Sequence, residues 1–273
     1  MSDFRTFELS NPAYAPADTG FITVQSAALG RRADIALYGA ASAPPGSPVI
    51  ILLHGVYGSH WAWLFSGGVH QVYERLRREG LGAFVLAMPS DGLQGDGSGY
   101  FDRQCGRFEA WIANEVPAAV ARAVPAVTAQ SRHYVSGLSM GGYGAIRIGA
   151  MHPQRFAGIS GHSPITSLAD FALFTNERFD DDLIDPAIET DLAALLPSRA
   201  GALPRFRFDC GLDDPLLTAV RRLHDALEAA GVDHGYAEPP GGHDWPYWHR
   251  HVAETLTFFD RIERELGHAA ARL

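Results

Sequence analysis

The chain has 273 residues but only two cysteines, no surplus of basic charge and no long apolar run. Each scarcity excludes a class of protein. Cys105 and Cys210 are too few for a disulfide scaffold and read as two reduced thiols. No stretch reaches the ~18 consecutive apolar residues of a membrane-spanning helix, so none is expected. Residues 1–16 are polar and acidic, unlike a secretory signal, and the expected compartment is the cytoplasm. Against 31 acidic residues stand 22 basic ones, a net charge of −9. That balance speaks against a nucleic acid or an anionic membrane surface as partner. Internal repeats and low-complexity segments are also missing. What remains, 47% hydrophobic and 19% charged, is an ordinary globular composition, long enough to build a core without covalent staples.

Apolar runs of strand length alternate with helical patterns. After an irregular lead-in over residues 1–20, strands are expected at 21–24, 34–37, 49–53, 83–87, 133–136, 156–160, 205–209 and 234–237. Helices are expected at 69–80, 108–124, 140–151, 215–231 and 245–266, with Pro117 tolerated only near a helix start or at a kink. Val49-Ile50-Ile51-Leu52-Leu53 is apolar throughout, as in a strand buried on both faces. This rhythm predicts an α/β fold with a mostly parallel central sheet flanked by helices. Residues 88–101 read as a glycine-rich loop. From 163 to 204 the rhythm breaks into helical fragments, prolines and clustered acids, including Asp180, Asp181 and Asp182. We read residues 1–273 as one domain, with 163–204 as a small, irregular, cap-like insertion.

In open parallel sheets, ligands bind beyond the carboxyl ends of the strands. Four groups follow predicted strands directly. Gly137-Leu138-Ser139-Met140-Gly141 is a G-x-S-x-G turn from strand to helix, the pattern of a nucleophile elbow. Cys210-Gly211-Leu212-Asp213-Asp214 follows the strand at 205–209, Gly241-Gly242-His243-Asp244 follows that at 234–237, and His54-Gly55-Val56 follows that at 49–53. The bare elbow pattern arises easily in a chain with 29 glycines. Serine, then acid, then histidine, each at a strand end, is far more specific. A serine hydroxyl needs an imidazole to take its proton and a carboxylate to orient that imidazole. Ser139 and His243 are therefore the expected nucleophile and base. One oxyanion donor is the amide after the nucleophile, that of Met140.

On these stretches, together with Gly58, Trp63 and the Asp244-Trp245 pair, the chain resembles the esterase D family of α/β-hydrolases. That family includes S-formylglutathione hydrolases, feruloyl and acetyl-xylan esterases, and mycolyltransferases. The resemblance implies an α/β-hydrolase fold and serine carboxylesterase activity on small or carbohydrate-linked esters, without a cofactor. It places the acid at Asp214, three residues after Gly211, with adjacent Asp213 as the alternative. It assigns the second oxyanion donor to the amide of Val56. A thioesterase of the S-formylglutathione hydrolase type is the alternative activity, although those enzymes usually carry glutamine where Cys210 stands. A hydrolase-like binding module is a third reading, and the intact triad speaks against it.

Other features have plainer readings. His54 is expected to brace its loop, and Cys105 to be a small buried residue. His243, His249 and His251 do not read as a metal site, because residues two apart on a helix face different ways. Tyr57 and Trp245 are candidate substrate contacts, and Trp61, Trp63 and Trp248 candidate packing. His162 follows the strand beside the elbow and is a weaker candidate for the pocket wall.

Overall fold

The computed structural model describes residues 4–179, 182–185 and 188–270. The chain opens with three antiparallel strands, β1 (Phe7–Leu9), β2 (Thr19–Gln25) and β3 (Arg32–Tyr38). Next come β4 (Val49–Leu53), a short helix α1 (Ala62–Phe65), α2 (Val69–Arg78) and β5 (Val85–Pro89). A two-residue ribbon, β6 (Asp102–Arg103) and β7 (Gly106–Arg107), leads into α3 (Phe108–Ala110) and α4 (Val116–Ala123). Then follow β8 (His133–Leu138), α5 (Met140–Met151), β9 (Gly158–His162) and α6 (Leu192–Ser198). The chain closes with β10 (Arg205–Asp209), α7 (Leu217–Ala229), β11 (Gly235–Ala237) and the long α8 (Trp245–Ala270).

Nine strands form one sheet in the order β1-β2-β3-β5-β4-β8-β9-β10-β11. From β5 to β11 every pairing is parallel. All carboxyl ends in that half therefore point to one edge. The chain leaves β4 for β5 on one side and returns to β8 on the other, so the topological switch lies between β4 and β8. Alternation along β4 divides the core between the two faces. Val49, Ile51 and Leu53 join the cluster under α3 to α7, which contains Trp111, Ile146 and Val220. Ile50 and Leu52 join the cluster under α1, α2 and α8, which contains Trp63, Val69 and Phe259. This is the predicted α/β-hydrolase layering, with β4 buried on both faces.

The departures have physical causes. The lead-in contains β1, which pairs with β2 at the sheet edge and is too short and exposed to show a pattern. Two strands begin two residues later than expected, at Val85 and Gly158. Phe84 and Phe156 are buried but lie outside the ladder, which runs on instead to His162, backbone-paired with Leu138 and Asp209. The expected helix at 108–124 is interrupted by a π turn, Trp111–Glu115, with Pro117 in the first turn of the segment after it. Residues 88–101 are largely buried, and the ribbon follows them directly. Within 163–204 lie a 3₁₀ helix, Leu168–Leu173, and α6, and Leu183 bridges to Arg103 of β6. Asp180 and Asp181 lie outside the described residues.

Candidate functional site

The elbow is built by steric necessity. Ser139 sits between β8 and α5 at φ 54° and ψ −119°, a conformation a side-chain-bearing residue rarely adopts. The turn holds it there. The Ser139 amide donates to the His162 carbonyl at 2.9 Å, while its own carbonyl accepts from Tyr143 and Ile165. A Cβ on Gly137 would lie 2.2 Å from the Gly141 carbonyl oxygen, and one on Gly141 would lie 2.3 Å from that of Leu53. Both obstacles are backbone and cannot swing away. Gly141→Ala is therefore expected to destabilise the fold by about 3 kcal/mol or more, at or above the upper end of ordinary overpacking. Thermal melting checks this, and an unchanged transition would contradict the steric argument.

Two loops bring partners to the serine. The Ser139 hydroxyl donates to His243 Nε2 at 2.9 Å. His243 Nδ1 donates to Asp214 Oδ2, also at 2.9 Å. The other Asp214 oxygen accepts the Leu216 amide at 2.8 Å, which fixes the carboxylate. Asp213 is exposed, and its amide donates to the Gly241 carbonyl at 2.9 Å, tying the acid loop to the histidine loop. Of the two adjacent acids, the geometry brings Asp214 to the imidazole. Asp244 instead accepts the Tyr247 amide at the start of α8. Ser139 itself is only 2% exposed.

The amides of Val56 and Met140 have no acceptor among the described residues. Met140 opens α5, so its N–H lies at the positive end of a twelve-residue helix. Val56 follows β4, across the switch point from the elbow. His54 braces that loop, as expected. It is 2% exposed, its Nδ1 lies 2.8 Å from the Gly55 carbonyl, and its own carbonyl accepts from Tyr100.

A cavity of about 470 Å³ opens beside Ser139 and His243. Tyr57, Trp61, Phe174, Trp245 and Trp248 contribute aromatic side chains to its wall. Tyr57 and Trp245 thus lie where the sequence suggested, while Trp63 is buried beneath them with its indole donating to the Leu53 carbonyl. Phe174 escaped the sequence reading. Its ring stacks on His243 at 4.5 Å and 23°, and its carbonyl accepts from the Tyr57 hydroxyl at 2.6 Å. Nothing in the pattern around it marks it, because it lies in the irregular segment. Residues 88–101 do not line this cavity; Gly99 instead packs its amide on the Met140 sulfur.

His162 does not face the cavity. It is fully buried behind the elbow, with Nδ1 3.1 Å from Asp209 Oδ1 and Nε2 2.8 Å from the Thr255 hydroxyl. Asp209 also meets Arg207 at 2.8 Å and accepts from the Tyr247 hydroxyl at 2.7 Å. Burial raises the Asp209 carboxyl, but the His162, Arg207 and Tyr247 contacts outweigh it and hold it well below the usual carboxylate range. A group with a lowered folded value stabilises above its unfolded value and loses that contribution as the pH falls. Asp209→Asn is expected to cost about 3–5 kcal/mol of unfolding free energy at neutral pH, because it leaves the Arg207 guanidinium without its buried counter-charge. The deficit against wild type should narrow below about pH 4. Denaturant titrations at several pH values measure it, and a deficit independent of pH would refute the charge explanation.

His249 and His251 do not gather with His243. His249 bonds the Gly67 carbonyl at 2.7 Å, and His251 is buried against Tyr247. Both cysteines are free; Cys210 is fully buried and Cys105 partly so. No helix among the described residues is long and apolar enough to cross a membrane.

Comparison with known proteins bears on the family and the fold. The Esterase family model matches residues 26–259. An acetyl esterase from Caldicellulosiruptor saccharolyticus is 28% identical over 232 residues, which span 78% of this chain and 83% of that protein. A ferulic acid esterase of known structure superposes with a TM-score of 0.77 at 24% identity, over 94% of this chain and 99% of the other. An S-formylglutathione hydrolase from Agrobacterium tumefaciens does so with a TM-score of 0.73 at 20% identity, over 95% and 99%. The two structural likenesses bear on the fold, which is that of the α/β-hydrolases. Since the family match runs across most of the sequence and through every strand that carries the site, the chain belongs to the Esterase family.

Proposed function

We propose that the protein hydrolyses small or carbohydrate-linked carboxylic esters through an acyl-enzyme on Ser139. The observation that carries this reading is the unbroken hydrogen-bonded chain from Ser139 through His243 to Asp214, beside two amides without acceptors. Ser139 Oγ attacks the ester carbonyl as His243 Nε2 takes its proton. The Val56 and Met140 amides receive the oxyanion, each donor of this kind being worth about 2.7–4 kcal/mol. His243 then protonates the departing alcohol. Water enters, gives its proton to His243, and releases the acid and Ser139. Asp214 keeps the imidazole in the tautomer that accepts from Ser139 and stabilises the imidazolium that forms.

In this reading residues 163–204 act as a cap on a single hydrolase domain. Its hold on the site is the Tyr57–Phe174 bond, backed by Thr175 on Asp96 at 2.5 Å and Glu177 on the Asp96 amide at 2.7 Å. Phe174, Tyr57 and Trp245 then contact substrate. Two unpaired thiols suit a reducing compartment such as the cytoplasm.

A thioester of the S-formylglutathione type is the rival substrate. Cys210, where the sequence departs from those hydrolases, is buried in the core and does not line the cavity beside Ser139, so it does not discriminate. A panel of p-nitrophenyl acetate, p-nitrophenyl butyrate, a feruloyl ester and an acyl thioester does. Oxygen-ester turnover at least tenfold above thioester turnover is expected. The reverse ranking would make the protein a thioesterase. A folded protein that turns over nothing and resists fluorophosphonate labelling would be a binding module.

A further inference from the structure

We propose that His224, Glu228 and His234 form a transition-metal site that clamps α7 to the edge strand β11. His224 and Glu228 are four apart on α7 and share one helical face. His234 arrives just before β11, after the chain has turned back from the helix. One nitrogen of each imidazole and one carboxylate oxygen lie within 4.8 Å of one another. His224 Nδ1 is 2.9 Å from His234 Nε2.

The tautomer of His234 suits a ligand. Its Nδ1 lies 2.8 Å from the Val232 carbonyl, which can only accept, so the proton is on Nδ1. In the neutral ring the Nε2 lone pair then points into the cluster. A backbone carbonyl on the nitrogen away from the ion is the usual support of a metal-bound histidine. Both rings are held by stacking. His234 lies over Phe208 at 5.4 Å and 4°, and His224 over Tyr236 at 4.2 Å and 23°. Arg221, one turn before His224, is engaged by both carboxylate oxygens of Glu238 at 2.8 and 2.6 Å, which balances its positive charge.

Tetrahedral ligands ~2.0–2.1 Å from an ion sit about 3.4 Å apart. The two imidazole nitrogens, 2.9 Å apart, need to open slightly to admit an ion, and the exposed Glu228 side chain is free to adjust to it. Two imidazoles, one carboxylate and an open position for water suit Zn²⁺, Co²⁺ or Ni²⁺ rather than Mg²⁺ or Ca²⁺. On binding, the proton between the two rings leaves to solvent, and His224 takes one up on Nε2. The ring stays neutral and both lone pairs face the ion. The consequence is mechanical. β11 has three residues and, among the described residues, pairs only with β10, and the chain runs from it directly to His243. A clamp there anchors the base of the histidine loop.

The test uses the untagged full chain, freed of metal by a chelator and titrated with Co²⁺ and then Zn²⁺. One Co²⁺ per chain is expected, with the intense visible absorption of low coordination number, displaced by Zn²⁺ and accompanied by a rise in Tm. His224→Gln and Glu228→Gln should each weaken binding at least about tenfold, the lower bound seen even for outer partners of metal ligands. Both should leave ester turnover in the metal-free protein unchanged. His243→Ala should keep the Co²⁺ spectrum, which separates this site from the serine site. Absence of Co²⁺ binding, a spectrum unchanged in His224→Gln, or one lost in His243→Ala overturns the proposal.

Discussion

Ser139→Ala is expected to lower ester hydrolysis by about a million-fold, the loss seen when a serine hydrolase is stripped of its nucleophile. The hydroxyl has no structural role that would confuse the result. Its one hydrogen-bond partner among the described residues is His243. The strained backbone at Ser139 is imposed by the close approach of Gly137 and Gly141 to neighbouring carbonyls, and alanine does not alter that packing. The variant should therefore melt as wild type does while its p-nitrophenyl acetate rate falls to that left by the oxyanion amides and binding alone. Turnover within tenfold of wild type would mean that another group attacks the ester. The free thiols are poor substitutes: Cys210 is sealed in the core, and burial pushes the Cys105 thiol up, away from its reactive form.

The second large effect separates two adjacent carboxylates. Asp214→Asn is expected to reduce kcat by about ten-thousand-fold. An asparagine amide would donate to His243 Nδ1, forcing the ring proton onto Nε2, where it could no longer accept from Ser139. Asp213→Asn should change the rate by less than about twofold, because that side chain is exposed and the imidazole is reached from its neighbour. Asp214 also holds the Leu216 amide, so the fold of the variant is checked by its melting transition. Equal damage from the two variants would show that the loop as a whole, rather than one carboxylate, supports the histidine.

The comparison of the two acids shows where reading along a chain stops. Gly211 and the two aspartates behind it marked the right loop. Which carboxylate turns inward depends on the bonds from Asp213 to Gly241 and from Leu216 to Asp214, and both join atoms whose meeting no local pattern announces. Phe174 is a stronger instance. It lies 69 positions before His243 (243 minus 174), in a segment without periodicity, yet its ring covers the imidazole. His162 is the converse. Its place after a strand beside the elbow suggested the pocket wall, but a parallel strand on its far side supplies Asp209, and the pair is buried together.

The amino-acid sequence by itself determined the alternation of strands and helices, the two-sided burial of β4, the elbow around Ser139 and the order serine, acid, histidine. These are legible because apolar periodicity, glycine at a crowded turn and motif spacing are local properties of a chain. Tertiary structure decided between Asp214 and Asp213 as the partner of His243, and it alone decided that Phe174 and Tyr57 close over the site, that His162 is locked to Asp209, and that His224 faces His234. Each of these joins residues whose meeting depends on the sheet order and on how loops pack at its carboxyl edge. Ser139 stands at the junction of the two: its turn was written in five consecutive residues, and its partners were delivered by β10 and β11.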